Sequence, residues 1–182
     1  MEYSIKMNDI DDARDMFLLA KDRLLDINDW DCLFAGSEYS ITLTNSKGAK
    51  LHRDARVNDL VNIAAANNMG NSSEMWIRIK AIQYDFFPDV RSESISILFC
   101  LSFSPSGNGV ETASAAEETI IIKREYDTII AHCNTGNELP DPYADIPNEL
   151  ANNDIELHPV LSIPQTHLQQ LLQGFIAIHE QA

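Results

Sequence analysis

The chain lacks the features that build disulfide frameworks, nucleic-acid surfaces and membrane spans. Its three cysteines are odd in number and widely spaced, which favours free thiols in a reducing compartment. Lysine and arginine number 13 against 28 acidic residues, and the net charge of -15 opposes binding to phosphate backbones and anionic membranes. No apolar run approaches the ~20 residues that a membrane helix needs, and the N-terminus has no signal-peptide pattern. We therefore expect a cytoplasmic protein that binds neither nucleic acid nor a membrane.

Motifs that carry catalysis or metal binding are also missing. No two histidines lie four residues apart and there is no Cys-x-x-Cys, so the sequence predicts no zinc site. Residues 26–37 begin like a calcium loop, but Trp30 occupies a ligand position and Ser37 replaces the closing glutamate. A Gly-x-Ser-x-Gly elbow and a phosphate-binding loop are absent as well. We predict no metal, no cofactor and no catalytic residue, and we lean against an enzyme.

One stretch, residues 94–104, reads as the central strand of a sheet. Ile95, Ile97, Phe99, Leu101 and Phe103 fall at every second position, with serines at most alternate positions. A period of two indicates a strand, and the apolar Leu98 and Cys100 on the second face place its middle near the centre of a sheet. We expect the face that carries the isoleucines and phenylalanines to meet a helix.

The rest of the chain predicts a single α+β domain over residues 1–182. An apolar stripe indicates an N-terminal helix from about Asp9 to Asp26, capped by Asn8, and a leucine-rich stripe indicates a C-terminal helix. Between them we expect a curved antiparallel sheet or open barrel of about seven strands, with residues 83–93 as a link. The expected strands are 39–44, 49–52, 60–64, 76–82, 94–104, 119–122 and 128–133. Gly174, inside the last helix, predicts close packing against the sheet.

Three short motifs resemble an uncharacterised family of small bacterial proteins. They are Trp76-Ile77-Arg78-Ile79, the strand from Thr119 to Arg124, and the turn Asn137-Glu138-Leu139-Pro140. The family's turn reads Arg-Asn-Glu-x-Pro-Asn, whereas this chain has Gly136 for the arginine and Asp141 for the last asparagine. The resemblance spans roughly residues 5–141 and implies no known activity. From the residues themselves, we interpret Asn137 and Glu138 as a structural turn, with catalysis as the alternative. The missing arginine removes a charge partner for Glu138 and so weakens the case for a binding role.

Three functions remain open from the sequence. The first is a helix-grip-like domain that binds a small apolar ligand between the sheet and the C-terminal helix. The second is an acidic interaction module, either for a basic protein partner or as a homodimer through the sheet. The third is a hydrolase-type enzyme without a recognisable motif. The residues expected to contribute to a ligand pocket or an interaction surface are Trp76, Tyr84, Phe99, Phe103, His132, Asn137 and Glu138.

Overall fold

The computed structural model describes residues 1–33, 39–66, 72–107, 116–135, 160–161 and 163–178. The described residues form two α-helices, two 3-10 helices and seven strands. The helices are α1 (Ile10–Leu25) and α2 (Gln165–Ile176), and the 3-10 helices span Ile27–Leu33 and Pro88–Val90. The strands are β1 (Glu2–Lys6), β2 (Tyr39–Thr44), β3 (Leu60–Ala66), β4 (Ser72–Phe87), β5 (Ser92–Ser102), β6 (Glu117–Glu125) and β7 (Thr128–Thr135).

All seven strands join one antiparallel sheet in the order β1-β7-β6-β5-β4-β3-β2. Strands β2 to β7 form a meander, and β1 closes the series beside β7 although it lies at the other end of the chain. The sheet curls into a half-barrel. Helix α1 packs against β6 and β7, and helix α2 packs against β7 and β1. This confirms the predicted α+β class with a curved antiparallel sheet and a helix at each end.

Strand β5 is central, as its alternation predicts. It pairs with β4 on one side and with β6 on the other. Ile95, Ile97 and Phe99 are buried on the concave face, whereas the serines of the opposite face are partly exposed. The side of β5 that carries Ile95, Ile97 and Phe99 therefore belongs to the core, where Phe99 contacts Trp30 of the first 3-10 helix. Its serine side is partly exposed to solvent.

Helix α1 begins where its acidic first turn predicts. Asp9 caps it, since its side chain accepts a hydrogen bond of 2.8 Å from the Asp12 backbone N–H. The cap is thus Asp9 and not Asn8, which we expected one residue earlier. The 3-10 helix that follows buries Trp30, whose indole N–H donates to the carbonyls of Arg23 and Leu24, both at 3.2 Å. Trp30 therefore fixes the exit of α1 against the core.

Helix α2 is held by α1 and by the first 3-10 helix. The Arg23 guanidinium donates to three carbonyls at the end of α2, those of Gly174, Phe175 and Ala177, at 3.2, 3.0 and 2.8 Å. A positive group at a helix C-terminus satisfies carbonyls that have no helical partner. A Cβ added at Gly174 would lie 2.8 Å from Leu33 Cβ. Gly174 does mark close packing, but against the 3-10 helix and not against the sheet.

The strand count is right, although two of the predicted elements differ. Residues 49–52 form no strand, since the one pairing there is an isolated bridge between Thr44 and Lys50. The seventh strand is instead β1, which pairs with β7 about 126 residues away. Its five residues do alternate, with Tyr3 and Ile5 between polar side chains, so a local signal was present. Residues 83–87, predicted as a link, continue β4 because they pair with the first residues of β5.

Within the described part of the chain, no helix is long and apolar enough to cross a membrane.

Candidate functional site

The structure separates the residues that the sequence suggested. Trp76 and Phe103 line one cleft, whereas Phe99 is fully buried in the core. Tyr84 lies near the end of β4, close to the turn into β5. His132 is partly buried on β7, between Glu2 of β1 and Ile121 of β6. Asn137 and Glu138 lie outside the described residues. Of the seven suggested residues, the structure brings two together.

We call the cleft that contains these two residues the Trp76 cleft, formed by residues 74–76 of β4 and 101–104 at the end of β5. Its volume is about 340 Å³. Met75, Trp76, Leu101 and Phe103 supply apolar walls, and Ser102 and Ser104 supply hydroxyl groups. Trp76 and Ser102 face each other directly across the β4–β5 ladder. The cleft thus combines aromatic and small polar side chains.

The turn after β2 positions the Trp76 ring. Gly48 has φ +81°, a left-handed conformation that glycine adopts without strain. A Cβ on Gly48 would lie 3.2 Å from the Pro105 side chain and 3.7 Å from the far end of the Trp76 ring. The turn, Pro105 and the indole are therefore in close contact, which restricts the ring to one side of the cleft.

Two buried hydrogen-bond donors beside the cleft have no partner among the described residues. They are Trp76 Nε1 and Asn62 Nδ2. Asn62 and Trp76 oppose each other across the β3–β4 ladder. A buried donor without an acceptor costs about 1–3 kcal/mol. Both atoms are buried, so they carry this cost inside the protein and present no donor on the surface of the cleft.

The region between the sheet and the helices is filled by side chains. Trp30 makes edge contacts with Phe99 of β5 and Phe175 of α2, with ring centroids 5.9 and 5.4 Å apart. All three side chains are at most 1% exposed. Phe99 therefore anchors the core, and the Trp76 cleft lies away from this packing.

One buried polar cluster crosses the concave face near the β4–β5 hairpin. Arg124 Nε donates to Glu93 Oε1 at 2.7 Å, and both side chains are 5% exposed. Tyr84 Oη donates to the other carboxylate oxygen of Glu93 at 2.9 Å. Burial, and secondly the bond to Glu93, raises the pKa of Tyr84. The phenol therefore stays protonated and orients the carboxylate, so the cluster serves as an internal anchor.

A second buried carboxylate, Glu118, lies farther along the same face. The Cys133 thiol donates to Glu118 Oε1 at 3.3 Å, and the Leu161 N–H donates to Oε2 at 2.9 Å. Burial, and secondly the Glu118 charge, raises the pKa of the Cys133 thiol. A thiol held protonated is a poor nucleophile. Cys133 thus ties β7 to Glu118, and His132, the next residue on the strand, points to the opposite face.

Sequence reasoning missed these buried charges, although a signal was available. Glu118 and Arg124 fall on the same alternating positions of β6 as the buried Ile120 and Ile122. A charged residue on the apolar face of a strand must be paired or hydrogen-bonded when that face is covered. The pattern therefore indicated buried polar partners on that face.

The acidic turn after α1 offers a shallow surface and no metal site. Asp22, Asp26, Asp29 and Asp54 border an open cleft of about 400 Å³. Burial, and secondly the charges of Asp29 and Asp54, raises the pKa of Asp26. Among the described residues, no three histidine, cysteine or acidic side chains are arranged to hold a metal ion.

Comparison with known proteins gives no relative: no protein-family model, curated protein or solved structure matches the chain. The resemblance to the small bacterial family therefore remains a prediction from three short motifs.

Proposed function

We propose that the chain is a non-enzymatic binding domain for a small apolar molecule, which it holds in the Trp76 cleft. The observation that carries this proposal is the lining, in which two aromatic side chains and two serines converge. Small-molecule sites are mostly apolar concavities of about 300–1,000 Å³ with a few polar groups. The cleft, at about 340 Å³, suits a ligand at the small end of this range.

The lining indicates the chemistry of the ligand. Trp76 and Phe103 favour a flat ring system, because aromatic pairs gain from stacked or edge contacts. The Ser102 and Ser104 hydroxyl groups favour a ligand with a polar group, because a hydroxyl can donate or accept a hydrogen bond. The net charge of -15 and the exposed Glu74 at the rim disfavour an anion. We therefore expect a neutral or cationic, ring-containing molecule with a polar group.

Binding fits the cleft better than catalysis does. The serine hydroxyls would need an adjacent base to act as nucleophiles. Ser104 Oγ lies 2.9 Å from Ser106 Oγ, and Ser102 Oγ donates weakly to the Phe103 carbonyl at 3.5 Å. Among the described residues, the lining includes no histidine or cysteine. These hydroxyls are suited to orienting a ligand.

A fluorescence titration tests the proposal, because the chain has two tryptophans. In a Trp30→Phe background the emission comes from Trp76, and we expect a neutral planar probe such as 1-naphthol to quench it saturably. Ser102→Phe fills the cleft directly opposite Trp76 and should weaken probe binding about tenfold or more. Ser96→Phe is the matched control, because it makes the same change on the same face of β5 outside the cleft.

Equal binding by the two phenylalanine variants would refute the assignment to this cleft. Quenching that never saturates would refute a specific site altogether.

An acidic interaction module is the second candidate, favoured by the solvent face of α1. Asp11, Asp12, Asp15 and Asp22 are all exposed on this helix. Such a surface attracts a basic protein by long-range charge, and salt weakens that attraction. This function and ligand binding in the Trp76 cleft would use different surfaces.

A further inference from the structure

Strand β4 extends well beyond its neighbour β3. The β3 pairing ends where Leu60 opposes Arg78. Ile79 then exchanges backbone hydrogen bonds with Asn58 and Asp59 at 2.8 and 3.0 Å. Beyond the bulge between Ile79 and Ala81, β4 pairs with β5 on one side, and no described strand pairs with its other side. We call residues 81–87 on that side the open edge.

The open edge exposes large apolar side chains. Tyr84, Phe86 and Phe87 are 52%, 52% and 56% exposed, and Val90 at the hairpin is 54% exposed. Natural sheets protect their edges with prolines, lysines or inward-pointing charges, because a bare edge pairs with other strands. Residues 81–87 contain no proline, and Asp85 is their one charged residue. This edge is therefore built to accept a strand.

Strand alternation identifies which backbone groups face the open edge. Both the N–H and the C=O of Ile79 point away from β5, toward residues 58 and 59. The bulge shifts the register by one residue, so that Ala81 faces Leu98 of β5. Alternation from that point directs the backbone groups of Ile82, Tyr84 and Phe86 toward the open edge.

We propose that the open edge pairs with the same edge of a second copy of this chain, antiparallel about a two-fold axis at Tyr84. In this register Ile82 lies opposite Phe86 of the second copy, and Gln83 lies opposite Asp85 of the second copy. Apolar groups meet on one face, an amide meets a carboxylate on the other, and no like charges oppose each other. A two-fold contact requires such self-complementarity. The two seven-stranded sheets become one continuous sheet.

The net charge makes the affinity of the dimer depend on salt in the opposite way to that of a complex with a basic protein. Each copy carries a net charge of -15, so two copies repel each other at long range. Salt screens this repulsion, and apolar burial does not depend on that screening. The dimer should therefore tighten as salt is added, whereas a complex with a basic protein should weaken.

Analytical ultracentrifugation of the full chain at low and high salt tests the proposal. We expect a monomer–dimer equilibrium that shifts toward the dimer at high salt. Phe86→Lys introduces the inward lysine that protects natural edges, and should raise the dissociation constant about tenfold or more. The matched control is Leu19→Lys, which makes the same kind of change at an exposed apolar residue of α1. It should leave the equilibrium unchanged.

Cross-linking tests the register. In a Cys32→Ser background, which removes the exposed thiol, Tyr84→Cys places two thiols beside the two-fold axis and should give a disulfide-linked dimer under mild oxidation. Gln83→Cys, whose side chain lies on the other face and away from the axis, should cross-link poorly.

Three outcomes would overturn the proposal: a monomer at all concentrations, a dimer that survives Phe86→Lys, or equal cross-linking by the two cysteine variants. Salt-weakened capture of a lysine-rich peptide, abolished by Phe86→Lys, would assign the edge to a basic partner instead.

Discussion

The two halves of β4 have the same strand geometry and opposite surroundings. In the proximal half, residues 72–79, β3 pairs along residues 72–78 and β5 pairs from residue 76 onward, and Ile77 and Ile79 are fully buried. In the distal half, residues 81–87, β5 pairs on one side and Tyr84, Phe86 and Phe87 are more than half exposed. The aromatic content of a strand therefore does not tell whether it lies in the core or at a surface.

The difference shows how each half is held in place. Apolar packing against the concave face holds the proximal half. In the distal half, Ile82 packs against the core and the Tyr84 ring contacts Phe17. The Tyr84 hydroxyl also bonds to the buried Glu93–Arg124 pair. The proximal half thus depends on hydrophobic burial, whereas the distal half combines a smaller apolar contact with a polar cluster.

The largest expected effect comes from breaking that cluster. Arg124→Met leaves Glu93 buried with no positive partner, and loss of one member of a buried ion pair destabilises proteins by about 3–5 kcal/mol. We expect a loss of this size in the free energy of unfolding, measured by urea denaturation at neutral pH. The double variant Glu93→Leu/Arg124→Met should recover most of it, since no buried charge remains. A loss below about 1 kcal/mol in the single variant would show that the distal half does not depend on the pair.

The next prediction compares the two halves through one substitution. Ile77→Ala in the proximal half removes a fully buried side chain and should lower the free energy of unfolding by about 2–5 kcal/mol. Ile82→Ala in the distal half removes a side chain that is already partly exposed, and should cost less than half as much. Urea denaturation of both variants, at a concentration where the chain is monomeric, measures the difference. Equal losses would mean that the distal half is packed as tightly as the proximal half.

The sequence predicted the fold better than it predicted the site, for a physical reason. In β5, α1 and α2 one face is buried, and the spacing of apolar residues within each segment shows which face that is. The open edge depends on length, because β3 has 7 residues and β4 has 16. The residue at which β3 begins decides which part of β4 remains unpaired on that side. No pattern within β4 contains that information.

The Trp76 cleft shows the same limit. Trp76 and Phe103 were both suggested from their residue types, but so was Phe99, which belongs to the core. Their separation follows from the pairing of Trp76 with Ser102 and from the contact between Phe99 and Trp30. These are long-range contacts, and a period of two cannot distinguish a wall of a cleft from a wall of the core.

The smallest expected effect isolates the hydroxyl that links the distal half to its anchor. Tyr84→Phe keeps the ring and its contact with Phe17, whose centroid lies 6.5 Å away, and removes the bond to Glu93. A single hydrogen bond at a partly exposed site contributes about 1 kcal/mol, so we expect a loss of this order in the free energy of unfolding at neutral pH.

The folded-state pKa of Tyr84 is raised. The hydroxyl therefore stabilises the fold fully below its unfolded pKa, about 10, and this stabilisation is lost as the pH rises through the folded pKa. The stability difference between Tyr84→Phe and the parent should therefore stay constant from neutral pH upward and shrink above about pH 10. Urea denaturation across this range measures it, and a difference that grows at high pH would mean that the phenol does not donate to Glu93.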